Sequence, residues 1–109
     1  RVCTVVEALP DTKTGKHIAG QLIRCGTSPA PNYAEACAAE SRADFTHKLG
    51  IVLKELRETR VWLKLAVKTK TMKPSRLDPL IDECFELMNI TGASIVTAKA
   101  NAPAKRIRR

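Results

Sequence analysis

The feature that most constrains this chain is a long run of apolar residues spaced three and four apart between Ala43 and Thr71. The run predicts one α-helix of about eight turns, because residues at this spacing share one helix face. Ser41 and Asp44 have the spacing of a capping box at its start, and Pro74 marks its end. The predicted buried face comprises Phe45, Leu49, Val52, Leu56, Thr59, Leu63 and Val67.

A second helix of similar length is predicted from Ser75, as its cap, to Ala102. Its apolar face includes Leu77, Leu80, Ile81, Cys84, Leu87, Met88, Thr91, Ile95 and Ala98. The acidic residues fall in its first half and Lys99 near its end, which suits the helix dipole.

The first third of the chain is also helical in pattern but less regular. Arg1–Leu9 reads as the end of a helix truncated at its N-terminus, and Thr12–Cys25 as the next helix. Gly26–Pro31 breaks or kinks the chain, and Asn32–Ser41 resumes as helix, with Asn32 as its cap. Aromatic residues make up only 4% of the chain, so strands are disfavoured. We therefore predict an all-α, antiparallel up-down four-helix bundle over residues 1–102, followed by a basic tail at 103–109.

The charge is unevenly placed. The chain of 109 residues has 19 Lys and Arg against 11 Asp and Glu, a net charge of +8. The tail accounts for half of this excess, which leaves the predicted bundle at +4. A basic balance of this kind favours a polyanionic partner such as nucleic acid. The tail cations are candidate contacts or serve solubility: Lys105, Arg106, Arg108 and Arg109.

The helix predicted at Ala43–Thr71 carries a basic arc beside its apolar face. A solvated basic face is the usual interpretation of such an arc. Because like charges four residues apart destabilise a helix, the other interpretation is a functional one, a track for phosphates. The arc comprises Lys54, Arg57, Arg60, Lys64 and Lys68, and Lys13, Lys16 and Arg24 of the preceding helix are further candidates for nucleic-acid binding.

The same helix has a second apolar set, Ile51, Trp62 and Leu65, which the 100° spacing places roughly opposite the buried face. In a monomer these side chains would be exposed. Three apolar residues on one face, one of them the only Trp of the chain, predict a contact between subunits.

The residues offer little for catalysis, metal binding or a membrane. Cys3, Cys25, Cys37 and Cys84 form no Cys-x-x-Cys pair, and only two His residues are present, so no metal site and no cofactor are expected. Cys25, Cys37 and Cys84 are expected as reduced core thiols of a cytoplasmic protein. No apolar run reaches the length of a membrane span, and no nucleophile and base are assembled, so we expect neither a membrane protein nor an enzyme.

Several segments between Gly15 and Ala102 resemble the family of proteins encoded by intervening sequences in bacterial 23S rRNA genes. The order and spacing of these segments fit the family over most of the chain. The segments that carry the resemblance are Gln21–Ser28, Asn32–Ala36, Ser41–Phe45, His47–Ile51, Leu56–Thr59 and Leu80–Cys84.

The resemblance implies a four-helix bundle that assembles as a homopentameric ring. One branch of the family supplies the accessory variability protein of diversity-generating retroelements, which implies a ring that binds a reverse transcriptase and its template RNA. For this chain we predict binding of RNA or an RNA–DNA hybrid, with a protein partner that supplies the specificity. Five subunits of this chain would carry about +40, a strong site for polyanions. The alternative is an orphan scaffold protein that binds other proteins through apolar surfaces, without nucleic acid.

Overall fold

The computed structural model describes residues 1–101, and this part of the chain is helical without strands. The helices are α1 (Val2–Ala8), α2 (Lys13–Thr27), α3 (Pro29–Cys37), α4 (Arg42–Lys68) and α5 (Pro74–Ala100). The prediction of an all-helical bundle is therefore confirmed. The tail at 103–109, with its four candidate cations, lies outside the described residues.

Helix α4 is the element on which the others assemble. Helices α2, α3 and α5 all pack against it, and α1 packs against α2. The Ser41 hydroxyl accepts a hydrogen bond from the Asp44 backbone N–H at 3.0 Å, so the predicted cap is present. The cap stabilises the start of α4 because it satisfies a backbone N–H that lacks a partner within the helix.

The core lies where α1, α2, α4 and α5 meet. Leu22, Leu63 and Leu77 are fully buried, and Val5 of α1 belongs to the same cluster. Burying one such leucine side chain contributes about 2 kcal/mol to the free energy of folding. Within the described residues, no helix combines the length and the apolar character that crossing a membrane requires.

The interruption predicted at Gly26–Pro31 is a kink and not a break. Ser28 joins α2 to α3 with helical dihedrals, φ −70° and ψ −36°. The Asn32 side chain donates to the Ser28 carbonyl and hydroxyl oxygens, each at 3.0 Å, so Asn32 lies inside α3 and does not cap it. Proline in the first turn of a helix loses no intrahelical hydrogen bond, and Pro29 therefore lets the chain continue helically. Helices α2 and α3 thus form one kinked helix. Counted in this way, the bundle over residues 1–101 consists of four helices: α1, the kinked helix α2–α3, α4 and α5.

The connection between α4 and α5 is a tight helix end. Lys70 has a φ of 59°, and the Thr71 N–H donates to the Ala66 carbonyl oxygen at 3.0 Å. This is the pattern of a Schellman motif, which satisfies carbonyls left over at the end of a helix. Helix α5 then begins at Pro74, with Lys73 as N-cap and no side-chain cap, so Ser75 is not its cap.

Candidate nucleic-acid interface

The face of α4 that points away from the other helices carries most of the basic arc predicted from the sequence. Leu49, Val52, Leu56 and Leu63 are buried toward the other helices, and the basic side chains lie on the other side of α4. Four of the five cations of the predicted arc are exposed: Lys54, Arg57, Lys64 and Lys68. We call these four residues the α4 cationic face.

The α4 cationic face is not neutralised by the described part of the chain. The ion pairs found there involve Arg1, Lys16, Arg24 and Lys48. No residue of the α4 cationic face has a carboxylate within 4.0 Å among residues 1–101. These charges are therefore available to an external polyanion.

Arg24 has a different environment from the α4 cationic face. Its guanidinium donates to the Glu58 carboxylate and lies 3.7 Å from a carboxylate oxygen of Glu55. The hydrogen bond to Glu58 is the main cause of a raised Arg24 pKa. Glu55 is buried and Glu58 half-buried, so Arg24 compensates two carboxylates of α4. Its charge is used within the chain.

The other two candidates on α2 lie near its start. Lys16 forms an ion pair with Asp11 at 3.2 Å, and both side chains are exposed. Lys13 is exposed as the first residue of α2. An exposed pair such as Lys16 with Asp11 is weak, because water and salt screen it.

Arg60 is set apart from the rest of the basic arc by its contact with α5. Its guanidinium carbon lies 4.8 Å from the centroid of the Phe85 ring, a cation–π arrangement. The Nε atom of Arg60 is buried and has no hydrogen-bond partner within residues 1–101. Phe85 itself is 47% exposed. Sequence reasoning did not select Phe85, although its position off the apolar face of α5 is a signal of exposure.

The predicted placement of Ile51 and Trp62 opposite the core is wrong. Both side chains are half-buried. Trp62 packs against the core cluster and meets the His17 ring edge-on, at a centroid distance of 5.5 Å. The reason is that three helices, α2, α3 and α5, pack against α4. Together they cover the sides of α4 as well as its main apolar face. Leu65 is 37% exposed.

The cysteines are arranged as two buried and two exposed thiols. Cys25 and Cys84 are buried as expected, whereas Cys3 and Cys37 are exposed, so Cys37 is not a core thiol. Burial raises the pKa of the Cys25 thiol, and it raises that of Cys84 to about 11. Both thiols are therefore protonated near neutral pH, and thiolate chemistry is disfavoured there.

An apolar cavity of about 650 Å³ lies beside α4. Val52, Leu56 and Thr59 of α4 form its floor, and Leu87 and Ile90 of α5 form one wall. The opposite wall comes from the α2–α3 junction through Pro29, Ala30 and Tyr33, and the first residues of α1 close one end.

Over residues 1–101, the fold and this surface define a small all-α bundle with a helix face whose cations have no ion-pair partner. A family model described as 23S rRNA-intervening sequence protein matches residues 1–93, and the chain belongs to this family. No curated protein matches the chain.

A solved structure supports the same assignment. The chain is similar to a crystal structure of a protein with unknown function from the S23 ribosomal protein family of Bacteroides thetaiotaomicron. The two share 32% sequence identity, with a TM-score of 0.81, over 87% of this chain and 88% of the other.

Proposed function

We propose that this protein is a non-enzymatic RNA-binding bundle that contacts the phosphate backbone through the α4 cationic face. The observation that carries the proposal is that Lys54, Arg57, Lys64 and Lys68 are exposed and, within residues 1–101, have no ion-pair partner. From Lys54 to Lys68 the series spans about 21 Å along α4. At a spacing of about 3.4 Å between phosphates of one strand, this length covers roughly six phosphates. Contacts of this kind supply affinity without sequence preference.

The part of α4 between Arg42 and Arg60, which contains Lys54 and Arg57, is the better part of this surface. Arg60 contacts Phe85, and Arg42 donates to the Ala98 carbonyl oxygen at 3.1 Å, so this part of α4 runs beside the second half of α5. Residues 87–101 contain no acid, whereas the first half of α5 carries Asp78, Asp82, Glu83 and Glu86. A polyanion on Lys54 and Arg57 therefore meets less repulsion than one on Lys68.

Assembly as a homopentamer extends the proposal. One subunit outside the tail has a net charge of only +4, which is modest for an RNA-binding surface. A ring would repeat the α4 cationic face five times. In this proposal the bundle is antiparallel and up-down. Of the three residues predicted for a subunit contact, Leu65 is the exposed one, and Val61 of the same helix is also exposed.

The proposed protein partner is a reverse transcriptase of a diversity-generating retroelement, with RNA or an RNA–DNA hybrid as the nucleic acid. The support is the family resemblance together with the cationic surface. Because phosphate contacts do not select sequence, the partner would supply the choice of template. The proposed location is the cytoplasm.

The experiment compares two double variants that remove the same charge. Lys54→Gln with Arg57→Gln removes two cations of the α4 cationic face. Arg1→Gln with Lys48→Gln removes two cations that are paired with Glu83 and Glu35. Fluorescence anisotropy with a labelled RNA at 50 mM salt should show an affinity decrease of about tenfold or more for the first variant and about twofold for the control. Equal decreases would contradict the proposed surface.

A second candidate function, a protein-binding scaffold, is favoured by the apolar cavity beside α4. Helix α1 closes one end of the cavity, and α1 itself packs through Val5 into the adjoining core. The occupant proposed for the cavity is therefore an amphipathic helix of a partner protein, lying end to end with α1. Ile90→Gln at the cavity wall should abolish capture of that partner and, because it adds no charge, leave RNA affinity unchanged. Loss of RNA binding alone would argue against this candidate.

A further inference from the structure

We propose that the Arg60–Phe85 pair is a stacking site for one unpaired base, so that the preferred ligand is a single-stranded nucleic acid. The inference rests on the proposed function, because the α4 cationic face supplies the backbone contacts that bring a strand to this position. It adds a contact that duplexes cannot make. Bases in a duplex are stacked on each other and cannot leave the helix without an energetic cost.

The exposure of Phe85 is the first argument. Its neighbours Ile81 and Cys84 on α5 are buried, whereas Phe85 is 47% exposed. Exposed apolar residues are common in proteins, and exposure alone would mean little. Phe85 differs because a cation lies over its ring and the α4 cationic face lies beside it. An accessible aromatic ring next to phosphate-binding cations is the usual arrangement of single-strand binding surfaces.

The state of Arg60 is the second argument. Among residues 1–101 it has no carboxylate within 4.0 Å, and its buried Nε atom has no hydrogen-bond partner. The contact that orients its guanidinium is the one with Phe85, at 4.8 Å from the ring centroid. A planar guanidinium also stacks on bases, and its N–H groups can donate to phosphate or base oxygens. Arg60 and Phe85 therefore offer two stacking planes and a set of donors in one place.

The residues around the pair fit a strand. Arg57 is one turn before Arg60 on α4 and is exposed. Asn89 is one turn after Phe85 on α5, is exposed, and carries both a donor and an acceptor for a base edge. The exposed acids Asp82 and Glu86 flank Phe85 on α5, whereas residues 87–101, which face α4 from Arg60 toward Lys54, contain no acid. A strand that runs along Lys54 and Arg57 would thus place a base on the pair.

The test compares single-stranded RNA with a duplex of the same length at one salt concentration. Phe85→Leu keeps an apolar side chain of similar size but removes the ring, and Arg60→Lys keeps the charge but removes the planar group. Each should weaken single-strand binding about tenfold and leave duplex binding within about twofold. Val96→Ala is the matched control, since Val96 is an exposed apolar residue elsewhere on α5, at 67% exposure.

A second measurement detects the stack directly. Phe85→Trp in a Trp62→Phe background places the only Trp of the chain at position 85. Its fluorescence should be quenched by single-stranded RNA and not by the duplex. If Phe85→Leu binds both ligands like the unaltered protein while Lys54→Gln with Arg57→Gln binds both about tenfold or more weakly, the stacking site is refuted and the proposed function stands. If the unaltered protein binds neither ligand, both are refuted.

Discussion

Arg24 of α2 donates to the carboxylate of Glu58 on α4, and this contact separates the cations of the chain into two kinds. Arg24 also lies 3.7 Å from a carboxylate oxygen of Glu55, which is buried. Arg57, one residue before Glu58, is exposed and has no carboxylate within 4.0 Å in the described chain. Two arginines that appear equivalent in the sequence therefore have different roles, one within the fold and one toward a ligand.

The difference predicts opposite effects for two neutral substitutions. Arg24→Gln should lower the melting temperature, because two carboxylates of α4 lose their counter-charge, and should leave RNA affinity nearly unchanged. Arg57→Gln should leave the melting temperature unchanged and weaken RNA binding several-fold. Thermal unfolding by circular dichroism and RNA titration measure the two effects. The reverse assignment would contradict the separation of roles.

The helix end at Lys70 predicts a stabilising substitution. Lys70 has a φ of 59°, in the left-handed region that costs an L-residue with a side chain about 1 kcal/mol and glycine almost nothing. Lys70→Gly should therefore raise the free energy of unfolding by up to about 1 kcal/mol in urea denaturation. Lys73→Gly is the control, because Lys73 has a φ of −69° and gains nothing from glycine. A decrease of stability in Lys70→Gly would show that the motif is not formed.

The thiols predict a pH dependence of stability. Burial raises the pKa of Cys84 to about 11 in the folded chain, whereas an unfolded cysteine has a pKa of about 8.5. Between these values the unfolded state has released a proton that the folded state keeps, so the free energy of unfolding falls as pH rises. Stability should be constant below about pH 8 and decline above it, and Cys84→Ala should reduce the slope. An unchanged slope in Cys84→Ala would contradict burial of this thiol.

Accessibility to a thiol reagent checks the same arrangement independently. Cys3 and Cys37 are exposed, and Cys25 and Cys84 are buried. With a chromogenic disulfide reagent, the folded protein should therefore react quickly at two thiols, and at the other two only after unfolding. Fast reaction of all four would contradict the burial of Cys25 on α2 and of Cys84 on α5.

The apolar pattern was sufficient to predict the long helices, but not the contacts between helices or the way in which the short helices join. Helix α4 follows from its three-and-four spacing and the Ser41 cap, which are local features. Trp62 could not be placed, because its burial depends on the angle at which α2 crosses α4 and brings His17 to it. Asn32 matched the pattern of a helix cap, but the helical dihedrals of Ser28 carry α2 into α3 through a kink, and Asn32 lies inside the second segment.

Of the candidate site, the sequence predicted which cations share a helix face, but not which of them contact other parts of the chain. Lys54, Arg57, Lys64 and Lys68 share one face because of helical spacing alone, and the structure exposes all four. Arg60 belongs to the same series in the sequence, yet its contact with Phe85 depends on how α5 packs beside α4. The same holds for Arg24, whose partners are 31 and 34 positions away. Such relationships depend on tertiary packing, which periodicity does not determine.

The central claim, that RNA binds through phosphate contacts on the α4 cationic face, is tested most directly by the salt dependence of RNA affinity. Binding should be measured between 50 and 200 mM salt for the unaltered protein and for Lys54→Gln with Arg57→Gln. We expect affinity for single-stranded RNA to fall steeply with salt, and the slope for the variant to be smaller by about 0.7 for each phosphate that a subunit no longer neutralises. A slope near zero, or a slope that the variant leaves unchanged, would contradict the claim.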